Sequence, residues 1–177
     1  VGPAPTTTST IDAKYGWGAR LRRNTGLNIF NSLFIGYKRG LRIESASTQL
    51  KATNDTLEFK NNIIAGSKEQ YYETAFDSLY LLNQPSNTIF RGNANDTVNL
   101  VSPYGNPDQF NFLPQAGSPA LSGAAFSNPK LASLENTTYR GAFGSENWTN
   151  CWAEFSPNDE NYTAGPINYG FTAQVNN

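Results

Sequence analysis

Asn28-Ile-Phe-Asn-Ser-Leu-Phe-Ile-Gly36 and Glu58-Phe-Lys-Asn-Asn-Ile-Ile-Ala-Gly66 are two passages of one chain, 30 residues apart. They share Asn31 and Asn61, an apolar pair, and Gly36 and Gly66, and Asn87-Thr-Ile-Phe-Arg-Gly92 reads as a degraded third copy. A period in this range, with one strand and one turn per copy, is the signature of a repeat architecture. The reading it supports is an all-β fold, a parallel β-helix in which each turn of chain stacks on the last. Asn31 and Asn61 would then form a side-chain ladder at a repeated turn, and Leu33-Phe34-Ile35 and Ile63-Ile64 would stack as apolar ladders.

The composition agrees with β-structure. The 177 residues include 22 Asn, 16 Thr, 14 Ser and 23 aromatics. Asn suits turns, while Thr and aromatics suit a pleated surface. The net charge is −1, with no His, no Met and a single Cys, Cys151. Serine triads with a His base, Cys–His dyads and zinc centres are therefore excluded, and no intrachain disulfide can form. No apolar run reaches membrane-spanning length and no charged-then-apolar leader opens the chain, so neither a span nor a targeting segment is expected. Residues 1–60 hold nine Lys or Arg against four Asp or Glu, and residues 61–177 hold four against ten. The basic residues are scattered, which reads as a solvated strand face rather than a nucleic-acid surface.

Working outward from the echo, residues 1–10 read as an extended Thr/Pro-rich arm, 11–100 as β-helix rungs with loop insertions, and 101–177 as a closing coil and C-terminal cap. Residues 45–57 read as a loop. Residues 67–82 are the best helical candidate, through Tyr71, Tyr72, Ala75, Phe76, Leu79 and Leu82, and read equally as a strand pair split at Asp77. Residues 145–157 read as a short helix, capped by Ser145 and stopped by Pro157, whose Trp148, Cys151, Trp152 and Phe155 form an aromatic lid.

Three passages carry a resemblance: LRRNTGLNIFNSLFIGYKRGLRIES from Leu21, SPYGNPDQFNFLPQAGSPALSGAAFSNPKL from Ser102, and YRGAFGSENWTNCWAEFSPNDENY from Tyr139. In order, over about residues 17 to 163, they resemble the C-terminal part of secreted right-handed parallel β-helix proteins of bacteria that use the type IX secretion system. The resemblance implies last regular rungs, a closing segment from Phe112 to Ala120, a terminal cap, and an extracellular or cell-surface location. Asp55-Thr56-Leu57, Asp77-Ser78-Leu79 and Asp96-Thr97-Val98 also resemble the O-glycosylation acceptor of the same bacteria, with Thr56, Ser78 and Thr97 as the sites. They are more numerous than composition alone predicts, whereas the Asn-x-Ser/Thr sequons are not.

The expected function is an extracellular structural or adhesive surface protein, a glycosylated filament or rod subunit. The alternative is a polysaccharide-binding module, or the remnant of a polysaccharide-degrading β-helix enzyme. For the alternative, Trp17, Tyr37, Tyr71 and Tyr72 are available to stack on sugar rings. Asp55, Glu58, Asp77 and Asp96 are its candidate acids and Arg20, Arg22 and Arg42 its candidate bases, yet none makes a paired-carboxylate motif. No cofactor or metal is expected. Gly16-Trp17-Gly18 lacks the Lys and spacing of a phosphate loop, Asn158-Asp159-Glu160 lacks the alternating ligands of a calcium loop, and no base accompanies Cys151. The expected partners are N-terminal rungs of a parent chain or copies of the chain itself, with surface polysaccharide, and not nucleic acid.

Overall fold

The computed structural model describes residues 1–84, 86–150, 152–161 and 163. Cys151, expected to pack in the C-terminal lid, lies outside them. Eight short strands form three parallel sheets. Strands β1 (Trp17–Leu21), β4 (Arg39–Ile43) and β7 (Gln70–Tyr72) make the first, β2 (Ile29–Phe30) and β5 (Phe59–Lys60) the second, and β3 (Leu33–Ile35), β6 (Ile63–Ala65) and β8 (Thr88–Phe90) the third. The echo in the sequence is a pairing register: Leu33 lies opposite Ile63, Ile63 opposite Thr88, and Ile35 opposite Ala65.

The third sheet is buried on both faces, which explains its unbroken apolar runs. With a side-chain period of two, Phe34, Ile64 and Ile89 face one core, among Ala19, Leu21, Leu41, Ile43, Leu57 and Phe59. Ile35, Ile63 and Ala65 face a second core, covered by Ala94, Val98, Leu100 and Ala120. The covering segment carries an antiparallel pair, β9 (Leu100–Ser102) with β10 (Asn111–Pro114), and 3-10 turns at Pro107–Gln109, Pro119–Leu121 and Pro129–Leu131.

This architecture corrects the expectation of an all-β right-handed parallel β-helix. The sheets are small and do not close into a continuous coil, one of them is antiparallel, and two helices interrupt the strands: α1 (Ala46–Thr53) and α2 (Ala75–Leu82). The physical reason is local. After β7, Thr74 begins a capping box: its hydroxyl accepts from the Asp77 backbone N–H and the Asp77 carboxylate accepts from the Thr74 N–H, so the chain turns helical. Among the described residues no third strand then pairs with β5.

Three further expectations change. Residues 45–57, read as a loop, contain α1, anchored by buried Thr48 and Ala52. The helical reading of 67–82 holds only for α2, because Gln70–Tyr72 is strand. Among the described residues of 145–157 there are turns and no helix, and Trp148 and Trp152 are 49% and 58% exposed instead of forming a lid. The N-terminal arm lies against the turn that follows β3. Gly2 N–H donates to Ile35 O (2.7 Å), Ala4 N–H donates to Gly36 O (2.9 Å), and Ala4 is fully buried.

Candidate functional site

The polar ladder of the stack runs one residue beyond the expected Asn31 and Asn61. Ser32 N–H donates to Asn62 Oδ1 (2.8 Å) and Asn62 N–H to Asn87 Oδ1 (3.0 Å). The Asn62 and Asn87 amides donate in turn to Ile29 O (3.1 Å) and Phe59 O (2.7 Å). Asn62 is fully buried, and the ladder satisfies its polar atoms. Asn31 and Asn61 are instead the left-handed turn residues, at φ 51° and 59°. Asn31 pairs with both backbone groups of Ala125, fastening the C-terminal segment to the turn.

The candidate acids and bases do not converge. Asp77 is fully buried and accepts from Ile43 N–H (2.8 Å), Thr74 N–H (2.9 Å) and Thr74 Oγ1 (2.9 Å), with Arg42 at 3.3 Å. Glu58 belongs to another network, with Lys60, Lys130 (2.8 Å) and Asn128. Arg20 pairs with Glu44 (2.6 Å) and lies over the Trp17 ring. Asp55 and Asp96 are exposed. Of the proposed glycan acceptors, Thr56 and Thr97 are exposed, whereas Ser78 is half-buried on α2 beside buried Asp77.

Burial by itself would raise the Glu58 carboxyl, but hydrogen bonds from Lys130, Lys60 and Asn128 outweigh it and hold the group at about 2, below its ordinary 4.5. A carboxyl lowered by folding contributes stability above its unfolded value, and that stability is lost as pH falls through the folded value. The unfolding midpoint is therefore expected to drop between pH 4.5 and about 2. Glu58→Gln should flatten that part of the profile, measured by urea unfolding at a series of pH values. An unchanged slope would show that the Lys–Glu–Lys tie contributes nothing.

Arg140 holds the closing segment without a carboxylate partner among the described residues. Only 6% exposed, it donates to Ser122 O (2.9 Å), Thr88 Oγ1 (2.9 Å) and Pro119 O (3.0 Å). Sequence reasoning did not single it out.

Two concavities stand out among the described residues. The larger, about 730 Å³, is an apolar groove walled by Phe30, Leu33, Phe112, Phe143, Trp148 and Phe155. At its lip Phe143 and Trp148 stack at 5.2 Å, and Trp148 and Trp152 at 5.5 Å. The smaller, about 420 Å³, is polar and lies beside β7 and the end of β8, with Lys68, Glu69, Gln70, Tyr71, Phe90 and Arg91 in its walls. Tyr71 and Tyr72, noted in the sequence as available to sugars, both line this cleft. Trp17 is instead tied by its indole N–H to Glu73 (2.5 Å), and Tyr37 packs its ring toward Gly2 and Gly18.

No family model, curated protein or solved structure matches this chain. No helix among the described residues is long and apolar enough to cross a membrane.

Proposed function

We propose that this chain is a structural, adhesive protein displayed outside the cell, as part of a larger surface assembly built from a parent chain or from copies of itself. The observation that carries the reading is where the chain spends its buried charge. Asp77, Glu58 and Arg140 each join segments distant in sequence, β4 to α2, the start of β5 to residues 128–130, and β8 to the closing coil. Such ties rigidify a scaffold at a desolvation cost that a marginally stable domain recovers only if every group is satisfied. The exposed Trp148 and Trp152 add a contact surface of the amphipathic kind enriched at interfaces. Secretion by the type IX route, and glycans on Thr56 and Thr97, belong to the same reading and rest on the sequence resemblance.

Immunogold electron microscopy of intact native cells tests it. Label on the outer surface, in a repeating or larger assembly, is the expected result. Label confined to the cell interior overturns the proposal.

A second reading, a polysaccharide-binding module, is favoured by one feature, the polar cleft with aromatic walls beside β7.

A further inference from the structure

We infer that the cleft beside β7 and the end of β8 binds an acidic saccharide, with Arg91 taking a uronate carboxylate and Tyr71, Tyr72 and Phe90 offering faces to the sugar ring. This rests on the second reading above and gives it a site and a ligand class.

The walls of the cleft have the mixture that sugar recognition needs. A pyranose presents hydroxyls at its rim and C–H groups on its face, so its site combines donors, acceptors and aromatic surface. Thr7, Ser67 and Gln70 supply neutral hydrogen-bonding groups. Tyr71 and Tyr72 meet edge to face at 5.1 Å, which fixes their relative orientation. Among the described residues β7 is the last strand in its sheet, so it presents an edge.

The charge at the cleft is lopsided. Glu69 is already engaged by Lys38 (3.1 Å) and Arg39 (2.5 Å), and Arg39 also reaches Glu73 (3.8 Å). Lys68 donates to Ser9 O (2.6 Å), an uncharged partner. Arg91 is exposed, lies 5.2 Å from the Tyr71 ring centroid and donates from Nη2 to the Tyr71 hydroxyl (3.1 Å). Among the described residues that is its one side-chain bond, and most of the guanidinium fork matches a carboxylate in two-point geometry. Lys68 and Arg91 thus line the cleft beside one carboxylate, Glu69, that Lys38 and Arg39 already neutralise, and the field favours an anionic over a neutral sugar.

The alternative occupant, an acidic peptide added to the β7 edge, would use the same charge but not the aromatic faces. Calorimetric titration distinguishes the two. The intact chain is titrated with a linear galacturonate trimer, a neutral glucose trimer of the same length and a glutamate hexapeptide. The expected result is saturable binding of the galacturonate trimer, at least about tenfold tighter than either comparator and weakened by added salt. Arg91→Gln should weaken it about tenfold or more, as loss of a charge-assisted contact does, and Lys14→Gln, outside the cleft, should leave it unchanged. Tyr71→Phe keeps the ring and removes the hydroxyl, and should retain most of the binding. Backbone amide shifts on titration should centre on Gln70–Tyr72, a readout independent of variant stability. No binding of the galacturonate trimer, equal binding of the peptide, or insensitivity to Arg91→Gln overturns the inference. Retention of a polysaccharide in a pull-down without binding of the trimer overturns the cleft alone, whereas retention of no polysaccharide overturns the second reading itself, so the two failures are separable.

Discussion

Asp77→Ala is expected to destabilise the fold by about 4 kcal/mol, the range seen when one partner of a buried ionic pair is removed. The side chain is fully buried and stands at the junction of α2 and β4. It caps α2 through Thr74, fixes β4 through the Ile43 N–H at 2.8 Å, and faces the Arg42 guanidinium at 3.3 Å. Truncation leaves donors without acceptors and a largely buried cation without a counter-charge. Asp77→Asn should cost less, because the remaining carbonyl oxygen still accepts from a backbone N–H. Chemical denaturation of both variants measures this. A loss below about 1 kcal/mol for Asp77→Ala would mean that water or a rearranged Arg42 replaces the carboxylate. The same burial sets Asp77-Ser78-Leu79 apart from the tripeptides at Asp55 and Asp96, whose aspartates are exposed.

Gly66→Ala is expected to cost about 3 kcal/mol. Gly66 has φ +61°, and a Cβ built there would lie 2.2 Å from Ala94 Cα and 2.5 Å from Ala94 N. Both atoms are backbone, so no rotamer change relieves the overlap. The left-handed conformation costs an L-residue about 1–2 kcal/mol, and overpacking adds about 1–3 kcal/mol. Gly117→Ala is the control. It also has positive φ, at +83°, but nothing within 4 Å of its Cβ, so it should show only the conformational part. Equal losses at the two positions would contradict the close seating of the 94–98 segment on the third sheet.

The parallel pairing of the strands was legible because it rests on chemistry that the residue type announces. Gly36 and Gly66 are required by backbone that a side chain would obstruct, and Asn31 and Asn61 tolerate the left-handed turn. The ladder position was misplaced by one residue for a related reason. A left-handed residue turns its side chain out of the stack, as Asn31 does toward Ala125, and it is the next residue, Asn62 or Asn87, whose amide faces along the stack.

Helix α1 left no such trace. Its N-cap residue, Ser45, makes no capping bond, and the helix is held by tertiary burial of Thr48 and Ala52, which no local pattern records. Helix α2 did leave one, the Thr74-x-x-Asp77 capping box, which outweighs the apolar spacing of Tyr71 and Tyr72 that suggested an earlier start. In the C-terminal region the spacing of Trp148, Trp152 and Phe155 suits one face of a helix. The chain instead stacks Trp148 on Phe143 and Trp152 on Trp148 from successive turns. Of the candidate cleft, only Tyr71 and Tyr72 were visible beforehand. Lys68 stands three residues before Tyr71, and Arg91, just past the end of β8, reaches the Tyr71 ring from 20 residues away, which a local motif cannot show.

Under the proposed function, a structural and adhesive surface protein, this chain holds what it contacts and does not transform it. Incubating the native protein with a panel of neutral and acidic polysaccharides, while following new reducing ends and the ultraviolet absorbance of unsaturated products, tests it most directly. The account predicts no increase in either signal over buffer on any polymer, including those the protein retains in a pull-down. A time-dependent rise on any one polymer, abolished by heat denaturation, would contradict it.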